Sequence, residues 1–216
     1  MTKDTFLQGL DNWNNHRLLL WLALEETKNL GALKQDVLEL GMGEGSTNQL
    51  VQYCEATGRI LVSCDSNLEW IEKFARRPES PALTGIVEGW WVRNFPGSSG
   101  SWKILYAKDN HWDSIPIGGG GTSWACVLVD HAPGERRWVD ILRLKDHAKI
   151  LVIHDSEPAA TGYMLDKVWP SFKLKVDCHR KDKAGAWASA VSNSIDVGRW
   201  AGQTYGDYVI SHFIRS

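Results

Sequence analysis

Cysteine is scarce, and none of it is spaced for metal or redox work. Cys54, Cys64, Cys126 and Cys178 lie far apart with no C-x-x-C pair, so neither a disulfide framework nor a zinc site is expected. Cys64 and Cys126 sit inside apolar, strand-like runs, where a free thiol behaves as a small hydrophobe. Long hydrophobic runs are also missing. The longest purely apolar stretch runs from Leu18 to Leu24, far short of the ~20 residues that a membrane helix needs. Met1 to Leu10 alternates polar and apolar residues and does not read as a secretory leader. Neither sign of charge dominates: 24 Lys and Arg stand against 26 Asp and Glu, a net charge of -2. That balance gives no global reason to bind nucleic acid or an anionic membrane. The expectation is a soluble, intracellular, cytoplasmic protein with neither kind of partner.

What remains is ordinary globular material of 216 residues, 43% hydrophobic and 23% charged, enough for one domain with an addition. Tryptophan is the exception, at 12 residues against 5 Tyr and 5 Phe. Thr5 to Leu33 has helical spacing, read as two helices broken around Asn14-Asn15 and ended by Gly31. Strand patterns follow at Asp36–Leu40, Ile60–Cys64, Lys103–Ala107, Trp124–Val129 and Lys149–Ile153, with helical patterns at Asn48–Thr57, Leu68–Arg76, Arg136–His147 and Tyr163–Trp169. Phe172–Asp177 and Trp187–Ser192 read as a hairpin, while residues 78–101 carry no secure assignment. Alternating strands and helices with doubly apolar strands predict an α/β fold, a parallel sheet covered on both faces.

In such sheets ligands bind beyond the carboxyl ends of the strands. Four strands here end in reactive or flexible residues: Gly41-x-Gly43-x-Gly45, Asp65, Asp130 and His154-Asp155. The glycine loop is not a dinucleotide fingerprint, because Ser46 stands where the third glycine belongs. Glu39 precedes the loop and Glu44 lies within it, which disfavours a pyrophosphate and favours a cationic ligand. Asp65, about twenty residues beyond the loop, is placed to accept hydrogen bonds from ribose hydroxyls. A nucleoside joined to a cationic amino acid satisfies these constraints together, and S-adenosylmethionine is such a molecule.

Val37-Leu-Glu-Leu-Gly-Met-Gly-Glu-Gly-Ser46 resembles the first motif of class I S-adenosylmethionine-dependent methyltransferases. The order of elements over roughly residues 36–193 is similar as well. The resemblance implies a three-layer Rossmann-like fold with a mostly parallel seven-stranded sheet closed by a C-terminal antiparallel hairpin. It implies an N-terminal helical cap (1–35), a cofactor-binding domain (36–193) and a C-terminal extension (194–216). Glu39, Gly41, Gly43, Gly45, Ser46 and Thr47 would line the methionine moiety. Asp65 and Ser66 would meet the ribose, and Asn110, His111 and Trp112 the adenine, with Asp130 beside the cofactor. His16, Asn14 and Asn15, between the N-terminal helices, would cover it.

Val129-Asp-His-Ala-Pro-Gly-Glu-Arg-Arg137 and Val152-Ile-His-Asp-Ser156 are similar to small-molecule O-methyltransferases of the catechol and sugar-modifying types. That likeness implies a magnesium or other divalent ion on Asp130, Asp155 and Ser156, although Ser156 replaces the usual Asn or Asp. His131 or His154, with Asp130, would be the catalytic groups that deprotonate an acceptor hydroxyl. The implied activity is methyl transfer to a small molecule, at oxygen rather than nitrogen. Two other readings stay open: a non-catalytic module that binds an adenosyl ligand, and a nicotinamide-dependent oxidoreductase. A nucleic-acid methyltransferase using Arg76-Arg77 and Arg136-Arg137 ranks below them.

Overall fold

The computed structural model describes residues 1–11, 13–29, 36–75, 86–87, 90–94, 102–107, 111–118, 123–158 and 161–212. In chain order its elements are α1 (Lys3–Phe6), α2 (His16–Asn29), β1 (Val37–Leu40), α3 (Thr47–Thr57), β2 (Leu61–Asp65), α4 (Leu68–Ala75), β3 (Ile86–Val87), β4 (Trp90–Asn94) and β5 (Trp102–Tyr106). There follow β6 (Trp124–Val129), α5 (Arg137–Leu144), β7 (Ala148–His154), β8 (Leu174–Arg180), β9 (Ala188–Ser192), β10 (Thr204–Tyr205) and β11 (Tyr208–His212). No described helix is long and apolar enough to cross a membrane.

The central strands are buried on both sides, and their alternation divides the core in two. Val37, Leu61, Cys126, Leu128, Ile150 and Val152 face the layer that α2, α3 and α4 supply through Leu18, Leu20, Leu50 and Ile71. Leu38, Leu40, Cys64, Val127, Val129 and Ile153 face the opposite layer, with Ile141 and Leu144 of α5 and Trp112. At period two, a residue that is apolar on either face must have cover on both. The expected α/β architecture is present.

The sheet is wider than the seven strands expected. Its order is β10-β11-β8-β9-β7-β6-β1-β2-β5-β4-β3. The five strands β5, β2, β1, β6 and β7 pair in parallel. The hairpin β8–β9 closes the sheet through β9, antiparallel to β7. Beyond that centre, β4 and β11 add antiparallel strands at the two edges, so part of the stretch read as an extension belongs to the sheet. The expected helix over Tyr163–Trp169 is instead a series of 3-10 turns, Thr161–Tyr163, Leu165–Lys167 and Trp169–Ser171. Met164 is left-handed at φ 53°, which breaks a continuous α-helix at its second residue.

From β1 the chain builds outward through β2 to β5, then returns to β6 on the other side of β1. That reversal puts the switch point between the carboxyl ends of β1 and β6, at Gly41 and Asp130.

Candidate functional site

Gly41 is fixed by its neighbour across the switch point. It has φ +91°, and a Cβ there would stand 2.5 Å from the backbone carbon and oxygen of Asp130. Only glycine takes that conformation without strain and leaves that space. The loop then closes onto α3: Thr47 N–H donates to the Gly43 carbonyl (3.0 Å), and Gly43 N–H donates to Thr47 Oγ1 (2.9 Å). A Cβ on Gly43 would come no nearer than 3.8 Å to another atom, so the backbone at Gly43 has open space beside it.

Glu39 does not line that space. It is fully buried, and its Oε1 accepts from Ser46 (2.6 Å) and Thr47 (3.0 Å) while Oε2 accepts from Ser63 (2.6 Å). Burial pushes its carboxyl up to about 7 against the pull of those three hydroxyls. Glu39, Ser46 and Thr47, expected against a ligand, instead brace the loop from beneath. Glu44 is exposed and paired with Lys73 of α4. The two carboxylates that disfavour a pyrophosphate in the sequence are therefore engaged elsewhere, and the acids left near the switch point are Asp65 and Asp130.

Asp65 ties β2 to the loop. Its Oδ2 accepts from Met42 N–H (2.9 Å) and its Oδ1 from Asn67 N–H (2.8 Å), and burial raises its pKa. Ser66 Oγ reaches the Ala132 carbonyl at 3.4 Å. Trp112 is fully buried and packs its ring 4.3 Å from that of His131, so it is a core residue rather than an open adenine platform. His111 is exposed, and Asn110 lies outside the described residues.

Arg137 occupies the centre of the expected metal site. Its guanidinium is 3.0 Å from Asp130 Oδ1 and 3.3 Å from Asp155 Oδ2, and it also donates to the His131 (2.9 Å) and His154 (3.1 Å) carbonyls. A divalent ion shared by the two carboxylates would need the place this cation fills. Ser156 is buried and turned to Ser189, whose hydroxyl sits between Ser156 and Asp177. The residues present do not fit a metal held by Asp130, Asp155 and Ser156.

The two histidines expected as bases have different surroundings. His131 is buried, with Nε2 3.1 Å from Asp140 Oδ2 on α5, and burial lowers its pKa despite that carboxylate. It faces the helix layer. His154 presents Nδ1 to Asp130 Oδ1 at 3.2 Å, while its Nε2 is buried without a hydrogen-bond partner. Burial would lower its pKa, but Asp130 and then Asp155 hold it above the usual histidine value. Asp130 is also opposed by burial, yet His154, Arg137 and His16 bring it down to about 2. It is a carboxylate at any ordinary pH.

The N-terminal segment closes over the loop. Asn14, Asn15, His16 and Arg17 are all buried. A Cβ on Gly45 would be 3.1 Å from both Asn14 Cβ and His16 Cε1. Arg17 donates to the carbonyls of Gly45, Glu44 (3.0 Å) and Gln8 (2.8 Å). Sequence reasoning missed Arg17, since an arginine at the edge of an apolar run normally reads as a solvated helix end. Surface hollows open elsewhere: one of about 370 Å³ between Leu7–Leu10 and Tyr205–Tyr208, and one of about 860 Å³ lined by Trp169, Lys175, Arg199 and His212.

Comparison with solved structures identifies the architecture. Cofactor-bound Rv0187 from MTB superposes with a TM-score of 0.52 at 14% identity, over 89% of this chain and 94% of that one. The two chains share a fold. A putative O-methyltransferase from Klebsiella pneumoniae gives 0.51 at 10% identity over 85% and 88% of the two chains. The human methyltransferase 10 domain containing protein gives 0.53 at 8% identity over 86% and 85%. No family model matches the chain, and no curated protein matches it in sequence. At these identities the methyltransferase likeness is one of fold.

Proposed function

We propose that the protein transfers a methyl group from S-adenosylmethionine to a small-molecule acceptor, at a hydroxyl oxygen. The observation that carries this reading is the switch-point crevice. There a loop that demands glycine at Gly41 and leaves space at Gly43 lies between a carboxylate bonded to it, Asp65, and one held ionised, Asp130. The donor set fits an adenosyl cation: Asp65 for the ribose hydroxyls, the backbone of residues 43–45 for the methionine moiety, and the negative charge of Asp130 for its cationic end. When bound, the cofactor supplies a sulfonium methyl open to in-line displacement.

The chain's own task is alignment and proton removal. His154 suits the second, because Asp130 holds its Nδ1 side and leaves Nε2 without a partner. His131, turned to Asp140, serves to position the segment after β6. Asn14, His16 and Arg17 cover the loop at residues 44–45 and hold it in shape. Cytoplasmic location and a small acceptor accord with the balanced charge.

Calorimetry with S-adenosylmethionine, S-adenosylhomocysteine and NADH tests the reading. Binding of the two adenosyl ligands and not of NADH is expected, and the reverse pattern overturns it. Asp65→Ala is expected to weaken adenosyl binding by about 1.5–3 kcal/mol, the range for hydrogen bonds to a charged group. Asp65→Asn, which perturbs the Met42 contact less, is expected to show a smaller loss. Release of S-adenosylhomocysteine with phenols or sugars then separates an enzyme from a module that only binds.

A further inference from the structure

Two imidazoles and a carboxylate converge on one point beside the glycine loop. One ring nitrogen of His16, one of His154 and one carboxylate oxygen of Asp130 lie within 4.8 Å of one another. The rings of His16 and His154 meet at 4.6 Å between centroids, inclined by 64°. His154 Nε2 is buried without a hydrogen-bond partner, and the buried His16 ring lies against the backbone of Gly45. Two buried imidazoles beside one carboxylate offer electron pairs to a group that accepts them.

We infer that His16, His154 and Asp130 form a binding site for a first-row divalent transition metal such as zinc. Two imidazoles and one carboxylate make a borderline donor set that suits such ions and not magnesium, which favours oxygen throughout. Metal–ligand bonds of about 2.1 Å place donor atoms a little over 3 Å apart, so small rotations of the two rings close the site. The ligands come from different elements, the start of α2 and the ends of β6 and β7, and a bound ion would fasten the N-terminal segment to the sheet. The contacts from Arg137 and His154 both go to Asp130 Oδ1, which makes Oδ2 the oxygen assigned to the ion.

This site shares Asp130 with the Asp130–Asp155 pair that Arg137 bridges but takes its other ligands from His16 and His154. It does not require methyl transfer, although the two readings share His154 and Asp130. Where both hold, His154 would serve as a ligand rather than as the proton acceptor, and Asp130 as a ligand rather than as the partner of the cofactor's cationic end.

The test uses Co²⁺ as the probe on the full chain after chelator treatment. Visible d–d absorption saturating at one equivalent is expected, displaced by Zn²⁺ and untouched by millimolar Mg²⁺. His16→Asn and His154→Asn are each expected to weaken Co²⁺ by more than about tenfold, while Asp155→Asn, at a residue that touches His154 without ligating, weakens it less than either. Should a variant fold poorly, the wild-type imidazole NMR resonances answer the same question, with two histidines shifting on Zn²⁺ addition and the others not. Absence of the absorption in the wild type overturns the site, as does its survival in both histidine variants or its loss in Asp155→Asn. Calorimetry of adenosyl ligands in excess EDTA, run in parallel, shows separately whether the methyltransferase reading stands.

Discussion

The buried carboxyl of Glu39 couples the glycine loop to pH. Its ordinary value is 4.5 and burial lifts it to about 7, so between those values the unfolded chain has released a proton that the folded one keeps. Stability from this group is therefore greatest below about 4.5, falls as pH rises to about 7, and is level above that. Glu39→Gln, neutral throughout, is expected to remove that fall. His16 acts with the opposite sign: its pKa is depressed from 6.5 to about 3, so its contribution is complete above 6.5 and is lost as pH falls towards 3. Urea unfolding of wild type and Glu39→Gln across pH 4.5–7.5 isolates the first effect by subtraction, and parallel curves for the two proteins would contradict it. Glu39 was legible as an acid at the loop, but its direction was not. A strand residue's face depends on which side its neighbours cover, and only the register Glu39↔Ser63, with Ser46 and Thr47 arriving from α3, shows that it points inward. Arg136 and Arg137 give the same lesson: adjacent in sequence, one pairs with Asp113 and Asp140 and the other joins Asp130 to Asp155.

At the scale of elements, the parallel strands were readable because both faces are buried and their side chains are apolar throughout. β6, Trp124–Val129, is buried at every position. The 3-10 turns after β7 were not readable, since Leu165, Val168 and Phe172 still face the core at a spacing that imitates a helix. The break between the N-terminal helices was legible at Asn14-Asn15, but its purpose was not. Gly9, at φ +73°, turns the chain so that the start of α2 meets the glycine loop, and Arg17 then satisfies carbonyls on both sides of that junction. Arg17→Ala leaves those acceptors without their charged donor, which is expected to cost about 1.5–3 kcal/mol of stability and to weaken adenosyl binding by loosening residues 44–45. Arg17→Lys keeps the charge but not the planar fork and is expected to recover only part of both. Urea midpoints and calorimetry on the same preparations check this; an unaltered midpoint in Arg17→Ala would mean that water replaces the side chain at no cost.

Over the whole molecule, the strand order at the centre of the sheet follows from the alternation in sequence and the switch point, but its edges do not. β3 and β10 are two residues long, and a pairing that short leaves no periodic signal. Charge can be read at this scale too. The sequence shows only that Lys and Arg nearly balance Asp and Glu. The structure shows how arginines near the strand ends and the surface are already engaged: Arg136 and Arg143 with Asp140, Arg137 with two carboxylates, Arg180 with Asp182 and Arg199 with Glu26. Arg76 and Arg77 lie outside the described residues. An arginine held by an internal acid must break that pair before it can neutralise a phosphate, so the crevice offers a polyanion little new attraction. Binding to a mixed RNA pool is accordingly expected to be weak and to change little between 50 and 200 mM salt. A protein with 6–10 phosphate contacts would lose about 10³–10⁵ in affinity over the same range. A steep slope of that kind, measured by filter binding or anisotropy, would move the acceptor from small molecules to nucleic acid while leaving the adenosyl site as it stands.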